Sequence, residues 1–386
     1  MTKDLWKALA VAAIGYAGGS CYTALVLSVA PDQNWKDLDI QYRARGPVLP
    51  TARIQLVCID DATVKAAGGG IPIPRKIVSD IIKAVRKDRP RAIGVYLVLG
   101  RPSRYGIADD ASFQASCREI PPLVLAADTA KFGNPPADRM NLPLSRFIEG
   151  GAQIGVVVYG FVNGLPRSAP LAIEMNGRVW PSMAESLARI GTPVQSPPIV
   201  AGQGNKERRE ILINFIGPRG SFPRVSALGL LRGSVRPGRF EDSIVLIGPT
   251  ARSWADFYET PRPLTGHADV RMRRRSMEGL EVQANVVHTY LTKSEIHMAG
   301  RGALLVWGTT LPLLIALLFM CLRRGWTVLA IAAALLLEVA SHLVSTQVFS
   351  SFHVVLEHVT ASWTATATLI AAVAWRVVEF LIWRRG

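Results

Sequence analysis

The sequence predicts an α/β domain attached to four membrane-spanning α-helices, one before the domain and three after it. Apolar residues make up 49% of the 386 residues, and the mean hydropathy of +0.23 is high for a soluble protein. This apolar excess is concentrated near the two ends of the chain. The long middle alternates strand-like and helix-like patterns, which is typical of an α/β fold.

The first hydrophobic stretch covers residues 8–31 and contains no charged residue, with Lys7 before it and Asp32 after it. A stretch of this length can cross a hydrocarbon core of roughly 30 Å. The alternative is a cleaved signal peptide that ends at the small residues Ser28-Val29-Ala30. Because the apolar run is long for a signal peptide, we expect residues 1–31 to form an uncleaved membrane anchor.

The central segment, residues 32–299, contains several short β-branched runs. Residues 77–85 carry apolar side chains at the spacing of an amphipathic helix. This succession of strand and helix patterns predicts a mixed α/β domain. The predicted strands are Ile54–Ile59, Ala92–Val98, Leu123–Ala126, Ile154–Val158 and Ser243–Ile247.

Two features of the central segment leave alternatives open. Asp60 and Asp61 follow the first predicted strand, at the edge where α/β sheets usually bind ligands, but they could equally cap the next helix. Cys58 and Cys117 could form a disulfide in an oxidising compartment, or could be two packed free thiols.

Three more hydrophobic stretches close the chain, and basic residues indicate their orientation. Lys3 and Lys7 precede the first span, Arg323-Arg324 separate the second from the third, and Arg384-Arg385 end the chain. Basic residues favour the cytoplasmic side, so the central domain should lie outside. We expect a multi-pass protein of a bacterial inner membrane, with both termini cytoplasmic and a periplasmic domain. The later spans are predicted at 300–323, 325–349 and 354–386, the last including a short tail.

The third predicted span carries two polar residues that share one helix face, Glu338 and His342. A carboxyl group at that depth must face protein or water, because exposure to lipid is costly. One interpretation is a proton or partner contact inside the bilayer. The other, which we favour, is a neutral Glu338 hydrogen-bonded to the fourth span. That span offers hydroxyl groups on Thr360, Ser362, Thr364, Thr366 and Thr368.

The formal net charge of +15 does not lead us to predict nucleic-acid binding, because no basic run is interleaved with aromatic residues. Phosphate-loop, zinc-protease and serine-hydrolase motifs are missing from the sequence. We therefore expect no catalytic residues, no metal, no cofactor and no enzyme activity. The densest charge cluster is a candidate site for an anionic lipid or acidic partner, or else a solvated loop. It comprises Arg271, Arg273, Arg274 and Arg275.

Five short motifs follow one another between residues 35 and 292. They are Leu38–Arg43, with the pattern D-x-x-x-R; Ile59-Asp60; Ile71–Arg75, similar to W-P-W-P-R; Ser243–Thr250 with Asp256 and Thr260-Pro261 after it; and Gly279–Asn285, similar to G-V-E-x-H-A-N. In this order they resemble the CHASE2 family of extracytoplasmic sensory domains. Members of that family usually have one span before the domain and three after it, which agrees with the predicted layout.

The resemblance implies a set of candidate ligand-binding residues at the motif positions. They are Asp60, Arg75, Asn163, Arg167, Asp256, Thr260 and Asn285. Several positions depart from the family pattern: Tyr96 stands where an Asp is common, Ile71 replaces a Trp, residues 163–167 replace D-G-V-x-R, and Gln283 stands at the usual His. Extra residues that include the arginine cluster also lie between Thr260-Pro261 and Glu278-Gly279. If those positions bind a signal in typical members, the binding chemistry is altered in this chain.

Receptors of the family commonly continue into a kinase, cyclase or other output domain. In this sequence only Arg384, Arg385 and Gly386 follow the last span, so we expect no cytoplasmic output. The sequence therefore predicts a non-enzymatic sensing subunit. It would sense a ligand of unknown identity outside the cytoplasm and transmit the response through a separate membrane protein partner. The alternative is a structural or accessory subunit of a larger membrane assembly in which sensing is lost.

Overall fold

The computed structural model describes residues 2–29, 33–129, 140–175, 177–191, 210–261, 276–322, 324–356 and 358–383. The chain divides into two compact units. The helical unit comprises Met1–Gly46 and Ile296–Gly386, and the α/β unit comprises Pro47–Glu295.

The described residues form helices and strands of very different lengths. The helices are α1 (Thr2–Val29), α2 (Gln33–Arg45), α3 (Asp61–Ala66), α4 (Arg75–Arg86), α5 (Ile107–Cys117), α6 (Ser145–Glu149), α7 (Met183–Gly191), α8 (Ala227–Leu231), α9 (Gly279–Thr292), α10 (Arg301–Cys321), α11 (Thr327–Phe352) and α12 (His358–Trp383). The strands are β1 (Ile54–Ile59), β2 (Ala92–Val95), β3 (Leu123–Thr129), β4 (Met140–Asn141), β5 (Gln153–Val156), β6 (Gly160–Val162), β7 (Leu165–Pro170), β8 (Ala172–Met175), β9 (Arg178–Pro181), β10 (Glu210–Leu212), β11 (Arg224–Ser226), β12 (Ile244–Pro249), β13 (Phe257–Glu259), β14 (Ser276–Glu278), β15 (His297–Met298) and β16 (Val354–Val355).

A seven-stranded sheet organises the α/β unit. Its strand order is β11-β1-β12-β2-β3-β4, with β5 also paired to β3. All of these pairs are parallel except β3 with β4. The central strands are apolar runs that are buried along their length, as expected when both faces of a parallel sheet are covered. Each predicted strand is present, although β2 ends at Val95 and not at Val98, and β5 ends at Val156 and not at Val158.

Helices cover the sheet on both faces. Alternate strand residues such as Val57, Ile93 and Val245 join one core with α4 and α5. The opposite face is closely packed at Gly94 and Gly248. A Cβ atom at Gly94 would lie 3.2 Å from Leu187 of α7, and one at Gly248 would lie 2.9 Å from Leu280 of α9. The α/β unit is therefore a three-layer sandwich, which confirms the predicted fold class of this part of the chain.

The helical unit contains three helices that are long and apolar enough to cross a membrane. They are Gly302–Cys321, Thr327–Phe352 and Ala361–Leu381. The last helix begins at His358, later than the predicted start at residue 354, because β16 pairs with β15 in parallel. Among the described residues, α1 contributes only the shorter apolar stretch Leu9–Tyr22, so the first of the four predicted spans stays a prediction.

Two glycines one helical turn apart allow α1 to pack closely on α12. A Cβ atom at Gly15 would lie 2.6 Å from Cβ of Thr368, and one at Gly19 would lie 2.7 Å from the backbone nitrogen of Thr364. Both distances are shorter than van der Waals contact. Glycines at this spacing permit such close helix approach in membranes.

The polar helix α2 belongs to the helical unit, although the sequence prediction placed residue 32 onward in the outer domain. Leu38, Gln41 and Tyr42 are buried. The Gln41 side chain donates a hydrogen bond of 2.9 Å to Ser345 Oγ of α11, and the Tyr42 ring packs edge-on against Phe349. The Leu38–Arg43 motif therefore contributes to packing among the helices.

Candidate functional site

A charged cleft of about 600 Å³ lies at the carboxyl ends of β1, β11 and β12. Its volume is in the range typical of small-molecule sites, and ligands of α/β sheets bind outside the carboxyl ends of strands. The lining includes three acidic and three basic residues: Asp60, Asp61, Glu278, Arg219, Arg224 and Arg252. Apolar contributions come from Val225 and Phe257.

Asp60 fulfils both interpretations that the sequence left open, whereas Asp61 lines the cleft from the first turn of α3. Asp60 Oδ1 accepts hydrogen bonds from the Thr63 backbone nitrogen at 2.8 Å and from Thr63 Oγ1 at 2.6 Å, so it caps α3. Partial burial acts to raise the pKa of Asp60, but hydrogen bonds from Thr63 and Ser226 outweigh it and hold the pKa below its usual value. Asp60 is therefore an ionised carboxylate that also lines the cleft.

Two of the cleft arginines are held by buried glutamates at the start of α9. Arg219 Nε donates to Glu278 Oε1 at 2.8 Å, and Arg224 pairs with Glu281. Burial acts to lower the pKa of Arg224, but Glu281, Cys58 and Glu278 outweigh burial and raise the pKa above its usual value. Carboxylates near a helix N-terminus are further stabilised by the helix dipole.

The polar side of α9 also holds the loop that carries Arg219. Glu281 Oε1 accepts the backbone N–H groups of Gly220 and Ser221, both at 2.9 Å. Asn285 Oδ1 accepts the Ile216 N–H at 3.0 Å. The buried Asn285, a candidate ligand-binding residue by resemblance, thus satisfies the backbone of this loop and does not line the cleft.

Arg75 is a second candidate that lies away from the cleft. It is buried at the start of α4, where its guanidinium pairs with Asp110 and lies 5.3 Å from the centre of the Phe147 ring. The carboxylate of Asp109 accepts the backbone N–H groups of Arg75 and Lys76 at 2.9 and 2.8 Å. The I-P-I-P-R motif therefore fastens the start of α4 to the start of α5.

The other candidates from the resemblance are dispersed over the α/β unit. Asn163 is an exposed turn residue with a φ of 53°, and with Gly164 it forms the tight connection between β6 and β7. Arg167 is buried in β7, Asp256 precedes β13, and Thr260 follows β13. Of the seven candidates, all within the described residues, Asp60 alone lines the cleft. Ligand binding by all seven stays a prediction.

Two of the departures from the family pattern, Tyr96 and Gln283, belong to one buried cluster. The Tyr159 hydroxyl donates to Gln283 Oε1 at 3.1 Å, and Tyr96 hydrogen-bonds with both Tyr159 and Tyr258. Burial raises the pKa of Tyr96 and Tyr159 well above the usual range, so both phenols remain protonated. Burial and nearby Asp128 raise the pKa of the adjacent Asp256.

Cys58 and Cys117 are free buried thiols, which answers the disulfide question. Burial raises the pKa of Cys58 to about 11 and that of Cys117 to about 12. Cys58 lines the cleft, but a nucleophilic cysteine needs a lowered pKa. This thiol is therefore a packing group at neutral pH.

In the helical unit, Glu338 accepts a hydrogen bond from Ser362 Oγ of α12. This contact agrees with the packing interpretation of Glu338. The backbone oxygen of His342, one turn later, accepts from Thr346 Oγ1 at 3.0 Å. The predicted anionic-partner patch, Arg271, Arg273, Arg274 and Arg275, lies outside the described residues.

Sequence reasoning missed most of the cleft. Arg219, Arg224, Arg252 and Glu278 come from separate segments, and no short motif links them. The available signal was the pair of glutamates, Glu278 and Glu281, beside an apolar run, because buried carboxylates require basic partners from elsewhere. Within the described ranges, no group of three or more His, Cys, Asp or Glu residues is placed to hold a metal ion.

Comparison with protein-family models gives a match to the CHASE2 domain over residues 10–324. The match includes nearly all of α1, the whole α/β unit and α10. Searches of curated proteins and of solved structures find no match. The cleft and the tyrosine cluster both lie inside the matched region.

Proposed function

Because this chain belongs to the CHASE2 domain family, we propose that it is a non-enzymatic sensing subunit of a bacterial inner membrane that acts through a separate membrane protein. The family is one of extracytoplasmic sensory domains, and three apolar helices follow the α/β unit in the chain. The cleft supplies a site for a small ligand. This combination of a ligand-sized cleft with membrane helices is the observation that carries the proposal.

The proposed topology has four spans, with α1 as the first and both termini in the cytoplasm. The close packing of Gly15 and Gly19 on α12 supports it, because α12 is itself long enough to cross the bilayer. Basic residues at 3, 7, 323 and 324 fit the cytoplasmic side. The α/β unit is then exposed outside the cytoplasm, where it meets extracellular ligands.

A covalent route connects the cleft to the membrane helices. Arg219 lies on a loop whose backbone is held by Glu281 and Asn285 of α9, and α9 is followed by the short connection 293–300 and then by α10. In this proposal the loop has two arrangements, and the ligand contacts Arg219 in only one of them. Binding then favours that arrangement, and the position of α9 that goes with it, by the difference in the ligand's affinity for the two arrangements. The response then passes into α10.

We place the partner contact on α11. In the most apolar stretch of α11, only 17% of the residues are buried within the chain, compared with 33% for α10 and 22% for α12. Large apolar side chains such as Leu336 and Leu343 are exposed along it. This surface is available for a helix of another protein, with Glu338 and His342 beside it.

The alternative is a structural or accessory subunit without sensing. The observation that favours it is the buried cluster around Tyr96 and Gln283, in which packed phenols and an amide replace residues that are commonly ionisable in the family. The cleft does not depend on those two positions, which is why we prefer the sensing function.

The test is mild-detergent purification of the tagged chain from its native membrane, followed by identification of co-purifying proteins. The sensing proposal expects a kinase, a cyclase or a transcription regulator with membrane spans. Recovery of a large stoichiometric assembly without such a protein would favour the accessory subunit. Substitution Leu343→Arg on the exposed side of α11 should abolish co-purification, whereas Ala333→Leu, on the same helix, serves as the control.

A further inference from the structure

The charged cleft is lined by groups of both signs. Arg219, Arg224 and Arg252 face the same space as Asp60, Asp61 and Glu278. A simple anion would meet three carboxylates there, and a simple cation would meet three guanidinium groups. These charges line one cleft of about 600 Å³, whose width is comparable to the Debye length of about 8 Å, so salt does not screen these repulsions fully.

Two complementary groups in the cleft have bonding capacity that no described residue uses: the guanidinium of Arg252 and one carboxylate oxygen, Oε2, of Glu278. The guanidinium of Arg252 is exposed and makes no hydrogen bond or ion pair with any described residue, although its backbone nitrogen donates to Asp61 Oδ1 at 3.0 Å. The Glu278 side chain is fully buried, with 0% exposed. Its Oε1 accepts from Arg219, but its Oε2 accepts from no group in the described part of the chain. A buried carboxylate oxygen without a donor is unusual.

We propose that the cleft binds a small zwitterion of the free α-amino acid class. The ligand carboxylate pairs with the positively charged Arg252. The ligand ammonium donates to Oε2 of the negatively charged Glu278. Val225 and Phe257 give the ligand side chain an apolar surface. The inference rests on the proposed function only in that it takes the cleft as the sensor's ligand site.

Binding is measured by isothermal titration of the purified full chain in detergent with each of the twenty standard L-amino acids. The best binder is then compared with its N-acetyl derivative, which lacks the ammonium, and its carboxamide, which lacks the carboxylate. Each derivative should bind at least about tenfold more weakly, because each loses a charge-assisted hydrogen bond. Absence of binding by all twenty amino acids, or equal binding of either derivative, would overturn the proposal.

Two variants assign the contact to the cleft. Arg252→Gln should weaken binding about tenfold or more, while Arg232→Gln, an exposed arginine on α8's C-terminal side, should leave it unchanged. Equal affinity of Arg252→Gln and wild type would remove the cleft from the account. Glu278→Gln is expected to lose affinity too, but the derivative series tests the ammonium contact even if this variant fails to fold.

The outcome is separable from that of the proposed function. Recovery of a signalling partner from membranes, together with no amino-acid binding, would leave the sensor proposal standing and reject this inference. Binding of an amino acid that depends on Arg252, with no partner recovered, would support this inference and reject the partner-dependent mode.

Discussion

Replacing Glu281 with Ala should destabilise the α/β unit strongly, because this carboxylate holds both an arginine and a loop. Its side chain is 1% exposed. It pairs with Arg224 and accepts the N–H groups of Gly220 and Ser221. Removing one partner of a buried ion pair typically costs 3–5 kcal/mol. Because Arg224 retains 29% exposure and can be rehydrated, we expect the low end, about 3 kcal/mol.

This loss corresponds to a fall in Tm of about 6–12 °C for a unit of this size. The assay is thermal unfolding of the full chain in detergent, followed by near-UV circular dichroism. Glu281→Gln retains an oxygen that can accept one N–H and should fall between Glu281→Ala and wild type. The matched control is Glu241→Ala, since Glu241 makes an exposed ion pair with Arg89 at 3.7 Å and should contribute less than about 1 kcal/mol.

Equal Tm values for Glu281→Ala and Glu241→Ala would refute the reasoning. The loop at 214–222 would then be held by other contacts, and the route from Arg219 to α9 would lose its physical basis. A lower Tm for Glu281→Ala together with unchanged amino-acid affinity would separate the structural role of Glu281 from ligand binding.

Three further predictions follow from individual contacts. Gly19→Leu should overpack α1 against Thr364 and destabilise the full chain by about 2 kcal/mol, measured by thermal unfolding. The control Gly18→Leu should have little effect, because a Cβ atom at Gly18 would lie 4.0 Å from its nearest neighbour. Equal effects of the two substitutions would contradict the close α1–α12 packing. Asp256→Asn should raise Tm at neutral pH. The pKa of Asp256 is raised in the folded state, so its contribution to stability is present at low pH and is lost as the pH rises through the folded pKa. The advantage of the variant should therefore vanish near pH 4, which is about the pKa in the unfolded state. A persistent advantage at that pH would show that charge is not the cause. Cys58 should react with iodoacetamide at pH 7.5 only after unfolding, because burial raises its pKa to about 11. Rapid labelling of Cys58 itself in the native chain, located by mass spectrometry of the peptide that contains it, would contradict a packed thiol.

The parts of the fold that the sequence predicts well are those in which local pattern and burial agree. β1 coincides with the predicted run Ile54–Ile59 because a short, mostly apolar stretch rich in Ile and Val is typical of a strand buried on both faces. α4 carries its apolar residues on one side and covers the predicted 77–85. The spans after the domain follow from length and hydropathy alone.

The differences arise where tertiary contacts override local pattern. Val354 and Val355 are apolar enough to begin a span, but they pair with β15 as a short strand. α2 is polar overall, and its contacts in the helical unit, such as the hydrogen bond from Gln41 to Ser345, join residues that are far apart in sequence. No local pattern indicates such a contact.

The candidate site shows the same limit. Asp60 was found because its position after a strand has meaning in any α/β sheet. The arginines of the cleft were not found, because only folding brings the loop before β11 and the loop after β12 together. The resemblance identified Arg75 and Asn285, which the structure places in helix attachment and loop support.

The central claim is that the α/β unit lies outside the cytoplasm, and maleimide labelling of one introduced, exposed cysteine in whole cells tests it most directly. The buried Cys58 and Cys117 are retained, and the chain without an introduced cysteine gives their background labelling. The exposed Cys21 and Cys321 are replaced by Ser, and one cysteine is introduced by Arg232→Cys in the α/β unit or by Gly325→Cys between α10 and α11, both at exposed positions. With the outer membrane permeabilised, a membrane-impermeant maleimide should label Arg232→Cys, and should label Gly325→Cys only after the inner membrane is also opened. The reverse pattern would place the α/β unit in the cytoplasm and contradict the account.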